Sequence, residues 1–179
     1  MVRFTLLLLS TVFFISCQSQ TSKVDASDSE NINDKKRQEP NYNYSIQVPQ
    51  GWTIRDTITQ GLKVKFITSP ILLKNDNPHS NILIGYMEEK DLEEFTTQNI
   101  RNLEAGLPVV IQERGKFKTE SVSGQYFTYI LESNGLATER IFYIVPVNDY
   151  AYMFTFGTRK GTMKKYRNVF DKIVLSFKH

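Results

Sequence analysis

Residues 125–158 read QYFTYILESNGLATERIFYIVPVNDYAYMFTFGT. Two turn signals divide this stretch into three apolar runs. Ser133-Asn134-Gly135 closes the run Gln125 to Glu132. Asn-Gly between apolar runs marks a hairpin, because both residues accept the positive φ that a tight two-residue turn demands. Asn148-Asp149 then separates Thr138–Val147 from Tyr150–Thr158. Tyr152, Phe154 and Phe156 alternate along the last run and so share one face. Three consecutive antiparallel strands are therefore expected, and the rest of the fold is built around them.

Downstream, Met163, Tyr166, Phe170, Ile173, Val174 and Phe177 fall on one side of a helix running from Met163 to about Phe177. Lys164, Lys165 and Lys172 lie opposite. Upstream, Val109–Glu113 and Lys116–Ser121 read as two strands around Gly115. A first helix is expected to begin at Asp91, an N-cap with Glu94 three residues later, and to stop at Gly106 and Pro108. Its apolar positions Leu92, Phe95, Ile100, Leu103 and Leu107 lie within one arc. Further upstream, Tyr44, Ile46 and Val48 alternate with polar residues as a strand. Pro49-Gln50-Gly51 turns the chain, and Trp52 and Ile54 continue on a second strand. Val64–Thr68 and Ile82–Met87 follow as strands, the latter apolar enough to be covered on both faces. The order is that of an α+β domain, with helices packed on a mainly antiparallel sheet.

Before Asn41 the composition changes abruptly. Residues 18–40, QSQTSKVDASDSENINDKKRQEP, hold no aromatic residue and only Val24, Ala26 and Ile32 as apolar ones. Such a segment cannot bury enough surface to offset its chain entropy and reads as a disordered tether. A flexible coil of that length has an end-to-end distance of roughly 25–28 Å. Ahead of it, Arg3 supplies a charge and Phe4–Ile15 is a short apolar run, too short to span a bilayer. This is the layout of a secretory signal peptide. Phe14-Ile15-Ser16-Cys17 resembles a bacterial lipobox, with Phe14 standing where leucine is usual. That resemblance implies cleavage before Cys17, a diacylglyceryl group on its thiol, and a chain held at the membrane by acyl anchors. The rival is ordinary signal peptidase cutting after Ser19, which would release a soluble form. The expected organisation is a lipoprotein signal peptide over 1–16, a lipidated Cys17 with its tether over 17–40, and a folded domain over 41–179.

The totals exclude much. A formal charge of +3 gives no argument for a nucleic-acid partner. Cys17 is the only cysteine, so no intramolecular disulfide can form and a cysteine-based zinc cluster is excluded. The two histidines are His79 and His179. His79 sits in the polar stretch Lys74–Asn81 and is expected in a solvated loop. No nucleophile-elbow, HExxH, Walker or dinucleotide-binding motif occurs. Glu88, Glu89, Asp91, Glu93 and Glu94 could be a cation site, but carboxylates at a helix start also stabilise its dipole. Tyr126, Tyr129, Tyr143, Tyr150 and Tyr152 could line a ligand groove or serve as sheet core. From Arg159 onward there are seven basic residues and one acid, against ten basic and thirteen acidic over 41–158. That basic end could meet anionic lipid or an acidic partner, or be the solvated side of a helix.

Tyr44–Trp52, YSIQVPQGW, and Val169–Lys178, VFDKIVLSFK, resemble the opening and the close of the PsbP-like (DcrB-like) fold family. That family includes extrinsic photosystem proteins and bacterial lipoproteins. The resemblance implies an α-β-α sandwich in which Pro49, Gly51 and Trp52 form a turn and a core anchor. No catalytic, cofactor or metal residue is carried over. The expectation is a non-catalytic envelope lipoprotein, exported and held at the outer membrane if the cell has two, that binds or supports another envelope component. The alternatives are a small-ligand carrier using an aromatic groove and an enzyme relying on carboxylates such as Glu88, Asp91 or Glu94.

Overall fold

The structure is a computed structural model that describes residues 39–179 apart from 60, 71–75, 88–90 and 119–121. Cys17 and the stretches expected to be a signal peptide and, up to residue 38, a tether lie outside the described residues.

Seven strands form one antiparallel sheet. They are β1 (Thr53–Thr59), β2 (Leu62–Thr68), β3 (His79–Tyr86), β4 (Val109–Lys118), β5 (Ser123–Ser133), β6 (Leu136–Val147) and β7 (Tyr150–Arg159). Their spatial order is β1-β2-β3-β7-β6-β5-β4. The helix α1 (Leu92–Gly106) carries the chain from β3 to the far edge at β4, and α2 (Met163–Leu175) follows β7. The hairpins β5–β6 and β6–β7 turn at the expected residues, with Asn134, Gly135 and Asn148 all at positive φ.

Period-two alternation sorts the strand residues onto two faces, and one helix covers each. Ile141, Tyr143 and Val145 of β6 pack with Tyr152, Phe154 and Phe156 of β7 under Tyr166, Phe170, Ile173 and Val174 of α2. Phe127, Tyr129 and Leu131 of β5, Ile144 and Met153 turn the other way, against Ile100 and the half-buried Leu92, Phe95 and Leu103 of α1. The α-β-α layering expected from the resemblance is therefore present.

Local chemistry fixes both helices. Asp91 caps α1, its carboxylate accepting from the Glu93 backbone N–H at 2.7 Å. Inside α1 the buried Thr96 and Asn99 donate to the carbonyls of Leu92 and Phe95, four residues back, so neither polar group is left unpaired. Thr162 precedes α2 but gives no side-chain cap. A carboxylate from elsewhere replaces it: Glu139 on β6 accepts from the Met163 backbone N–H at 2.9 Å.

Three expectations need correction. Tyr44–Val48 is not a sheet strand. Its only ladder contact among the described residues is a bridge from Ser45 to Lys178, and its apolar side chains instead pack on the α2-side core. Alternation alone cannot distinguish a strand from an extended strap. Val109–Lys118 is one strand rather than two, with a bulge between Ile111 and Glu113, while Gly115 pairs in register with Tyr126, whose ring lies where a Cβ would stand. The strands expected at Ile54 and Val64–Thr68 are present as β1 and β2, a hairpin about Gly61, whose φ is 80°. Finally, β3 begins at His79, which pairs with Gly157 of β7 instead of sitting in a solvated loop.

Candidate functional site

Two clefts open on the α2 side of the sheet. The first, about 340 Å³, lies where the N-terminal strap crosses β1–β3 and is lined mainly by Tyr42, Tyr44, Ile58, Lys63, Lys65 and Ile82. The strap is stapled at its root to the other end of the chain. Ser45 and Lys178 exchange backbone hydrogen bonds at 2.9 and 3.0 Å, Ser176 Oγ accepts from the Gln47 N–H at 2.7 Å, and the Tyr152 hydroxyl donates to the Asn41 carbonyl. Tyr44 stacks edge-on against Tyr152, with centroids 5.3 Å apart. Burial, with the Asp56 charge second, pushes the Tyr44 hydroxyl well above its usual pKa, so it stays protonated. The Lys65 ammonium pairs with Asp56. Lys63 lies 4.4 Å from the centre of the Tyr42 ring.

The second cleft, about 330 Å³, separates α2 from the β4–β5 edge and is lined by Phe117, Lys118, Tyr126, Tyr143, Arg167, Asp171, Val174 and Leu175. Three of its polar groups, Tyr143, Asp171 and Arg167, bond to one another. Tyr143 donates to Asp171, and Arg167 Nε donates to both Asp171 oxygens at 3.0 and 3.3 Å. The Arg167 guanidinium lies 4.6 Å over the Tyr126 ring, and Tyr126 donates to Glu113 at 2.7 Å. Burial, then the bond to Asp171, raises the Tyr143 hydroxyl, which therefore remains a donor. A donor–acceptor chain of this kind holds each of its members in one orientation.

The five tyrosines do not form one groove. Tyr126 and Tyr143 face each other across β5 and β6 in the second cleft. Tyr152 shares their side of the sheet but is fully buried against Phe177. Tyr129 points to the α1 side, and Tyr150 packs on Tyr86 at the sheet's end with centroids 5.8 Å apart. The acidic run is likewise dispersed. Asp91 is the α1 cap, and Glu94 is exposed with Arg101 at 3.9 Å. Glu93 reaches the sheet, accepting from Arg114 and from Gln125, each at 2.9 Å. Glu88 and Glu89 lie outside the described residues. Among the described residues no three His, Cys, Asp or Glu side chains converge as metal ligands. The strap cleft was not expected from the sequence. Its one signal was the apolar alternation of residues 42–48, which looks the same whether a chain joins a sheet or lies across it.

His79 has a consequence for pH. Nδ1 donates to the Asn77 carbonyl at 2.7 Å, and the ring lies so close to Gly157 that a Cβ there would come within 2.9 Å of Nε2. Burial lowers its pKa, the Arg140 charge lowers it further, and the Asn77 bond only partly opposes this. The folded chain thus resists a proton that the unfolded chain takes up below about pH 6.5. Stability from this group is complete above that value and falls as the pH drops through it toward the lowered folded value. Chemical denaturation between about pH 7.5 and 5 should show this loss, and His79→Gln should flatten the slope. An unchanged slope in the variant would place the effect elsewhere.

No protein-family model and no curated protein sequence matches this chain. Solved structures do. PsbP from the cyanobacterium Synechocystis is similar with a TM-score of 0.55 at 11% identity, over 75% of this chain and 85% of that one. LpqN, involved in cell envelope biogenesis of Mycobacterium tuberculosis, matches with a TM-score of 0.53 at 12% identity, over 75% and 81%. The Saccharomyces cerevisiae Ran-binding protein Mog1p matches with a TM-score of 0.55 at 8% identity, over 75% and 89%. At these identities the likeness is one of fold, and these proteins carry the fold to different tasks.

Proposed function

We propose that this chain, whose fold is PsbP-like, is an exported lipoprotein held at the cell envelope through Cys17, with a non-catalytic domain that binds or supports another envelope component. The observation that carries the reading is the fate of the polar side chains. In each cleft the carboxylate is tied to its neighbours, Asp56 to Lys65 and Asp171 to Tyr143 and Arg167, so neither stands as an unengaged base beside a nucleophile. Three further features agree with it: the lipobox-like Phe14–Cys17, the polar tether behind it, and the envelope role of one protein of the same fold. No helix among the described residues is long and apolar enough to cross a membrane, so attachment would fall to the acyl chains. Crosslinking in intact cells, followed by purification from membranes, should return the same envelope protein in repeated experiments. Turnover of a substrate with no reproducible crosslink would contradict the reading.

A second reading, a small-ligand carrier, draws on the strap cleft, whose apolar floor of Val64 and Ile82 lies beneath Tyr42 and Tyr44. Native mass spectrometry of protein incubated with cell extract separates the two. A persistent added mass lost on Ile82→Trp supports the carrier, and a clean apo mass counts against it.

A further inference from the structure

We propose that the α2 side of the domain is a docking face for an anionic phospholipid bilayer, with the strap and the β1–β2 hairpin lying against the headgroups. The two helices carry opposite charge on opposite sides of the sheet. In α1, Glu93, Glu94 and Glu104 stand against Arg101. In α2, Lys164, Lys165, Arg167 and Lys172 stand against Asp171. The β1–β2 hairpin adds Lys63 and Lys65 to the basic side, against Asp56.

Much of this charge is not consumed internally. Lys165 is held by Asp76 at 2.6 Å and Arg167 by Asp171. Lys63, Lys164, Lys172 and Lys178 are exposed, and among the described residues none has a carboxylate within 4 Å. Lys63 instead stands over the ring of Tyr42, itself 37% exposed. Beside them are apolar side chains that a solvated edge does not need: Ile58, 68% exposed, and Ile54, 43% exposed, on the edge strand β1. Both lie on the α2 side, since Ile54 pairs with the core residue Ile67 and Ile58 lines the strap cleft with Tyr42. Cations interleaved with a tyrosine and aliphatic side chains suit the boundary between headgroups and acyl chains.

The point of attachment selects the occupant. The chain enters the domain on this same side, because Tyr44, Ile46 and Val48 pack into the α2-side core and Ser45 is stapled to Lys178. Where Cys17 holds the other end, as the reading above has it, a bilayer lies within the tether's reach of this face. Docking itself needs no acyl group and can be measured without one.

The test uses the mature chain from residue 17 with Cys17→Ser, and vesicles of phosphatidylcholine alone or of phosphatidylcholine with about 30% phosphatidylglycerol. Sedimentation should show binding to the anionic vesicles at least tenfold stronger than to the neutral ones, and raising salt from about 50 to 500 mM should abolish it by screening. The combined change Lys63→Glu, Lys164→Glu and Lys172→Glu should remove it at unchanged circular dichroism. Arg101→Glu with Lys116→Glu, on the α1 side, should leave it intact. Equal binding to both vesicles, no binding, or loss only in the α1-side variant would overturn the proposal. So would charge reversal that spares vesicle binding while abolishing the envelope crosslink, which would assign the face to an acidic protein. Should the triple variant misfold, the lipid and salt dependence of the parent chain still decides. Absence of lipid on Cys17 in cells would remove the anchor but leave vesicle binding unaffected, so the two failures are distinct.

Discussion

Phe170→Ala will destabilise the domain by about 3–5 kcal/mol, the cost of removing a fully buried phenylalanine and leaving a cavity. Phe170 has no exposed surface and stacks on Phe156 with ring centroids 4.6 Å apart. Tyr166 stacks on its other side at 6.2 Å. These rings belong to the apolar junction between α2 and β7, and the start of the helix has no cap of its own, only the carboxylate of Glu139 on β6. A domain of this size has about 5–15 kcal/mol of net stability, so the loss is a large fraction of the whole. Urea titration should show a lower midpoint, and the melting temperature should fall by roughly 10–20 °C. A loss below about 1 kcal/mol would mean that α2 is not held by this junction.

The second large effect is expected at Gly124, where space, not φ, is the constraint. A Cβ built there would sit 2.2 Å from the Ile144 carbonyl oxygen and 2.7 Å from the Phe117 ring. The ring could turn, but the carbonyl belongs to the central strand β6, where Ile144 is fully buried and pairs with Gln125. Gly124→Ala must therefore spread the β5–β6 ladder, an overpacking cost of about 1–3 kcal/mol or more. Gly135→Ala is the contrasting control, because nothing lies within 4 Å of its Cβ position and only its φ of 74° resists the change. Equal stability of Gly124→Ala and the parent would show that β5 approaches β6 less closely than described.

These residues also show what the sequence could reveal. Asn134-Gly135 and Asn148 announced their hairpins because the turn chemistry is local, and α2 announced its buried face through spacing alone. Neighbourhood across strands is different. The alternation of Tyr126, Tyr129 and Tyr143 says which residues share a face within a strand, but not which face of the sheet that is. The β5–β6 register decides it, pairing Tyr126 with Tyr143 and sending Tyr129 to the α1 side. The same limit hid the strap cleft, which depends on Ser45 meeting Lys178 from opposite ends of the domain. It hid the place of His79 too, since its strand character comes from pairing with Gly157, not from its polar neighbours. Of the candidate site, the aromatic residues were legible, whereas their division between two clefts and a core was not.

The proposed function requires Cys17 to be the first residue of the mature chain and its point of attachment. Intact-mass measurement of the protein purified from the membrane fraction tests this directly. A chain beginning at Cys17 with the added mass of a diacylglyceryl group is expected. An unmodified chain beginning after Ser19, recovered in the soluble fraction, would contradict it.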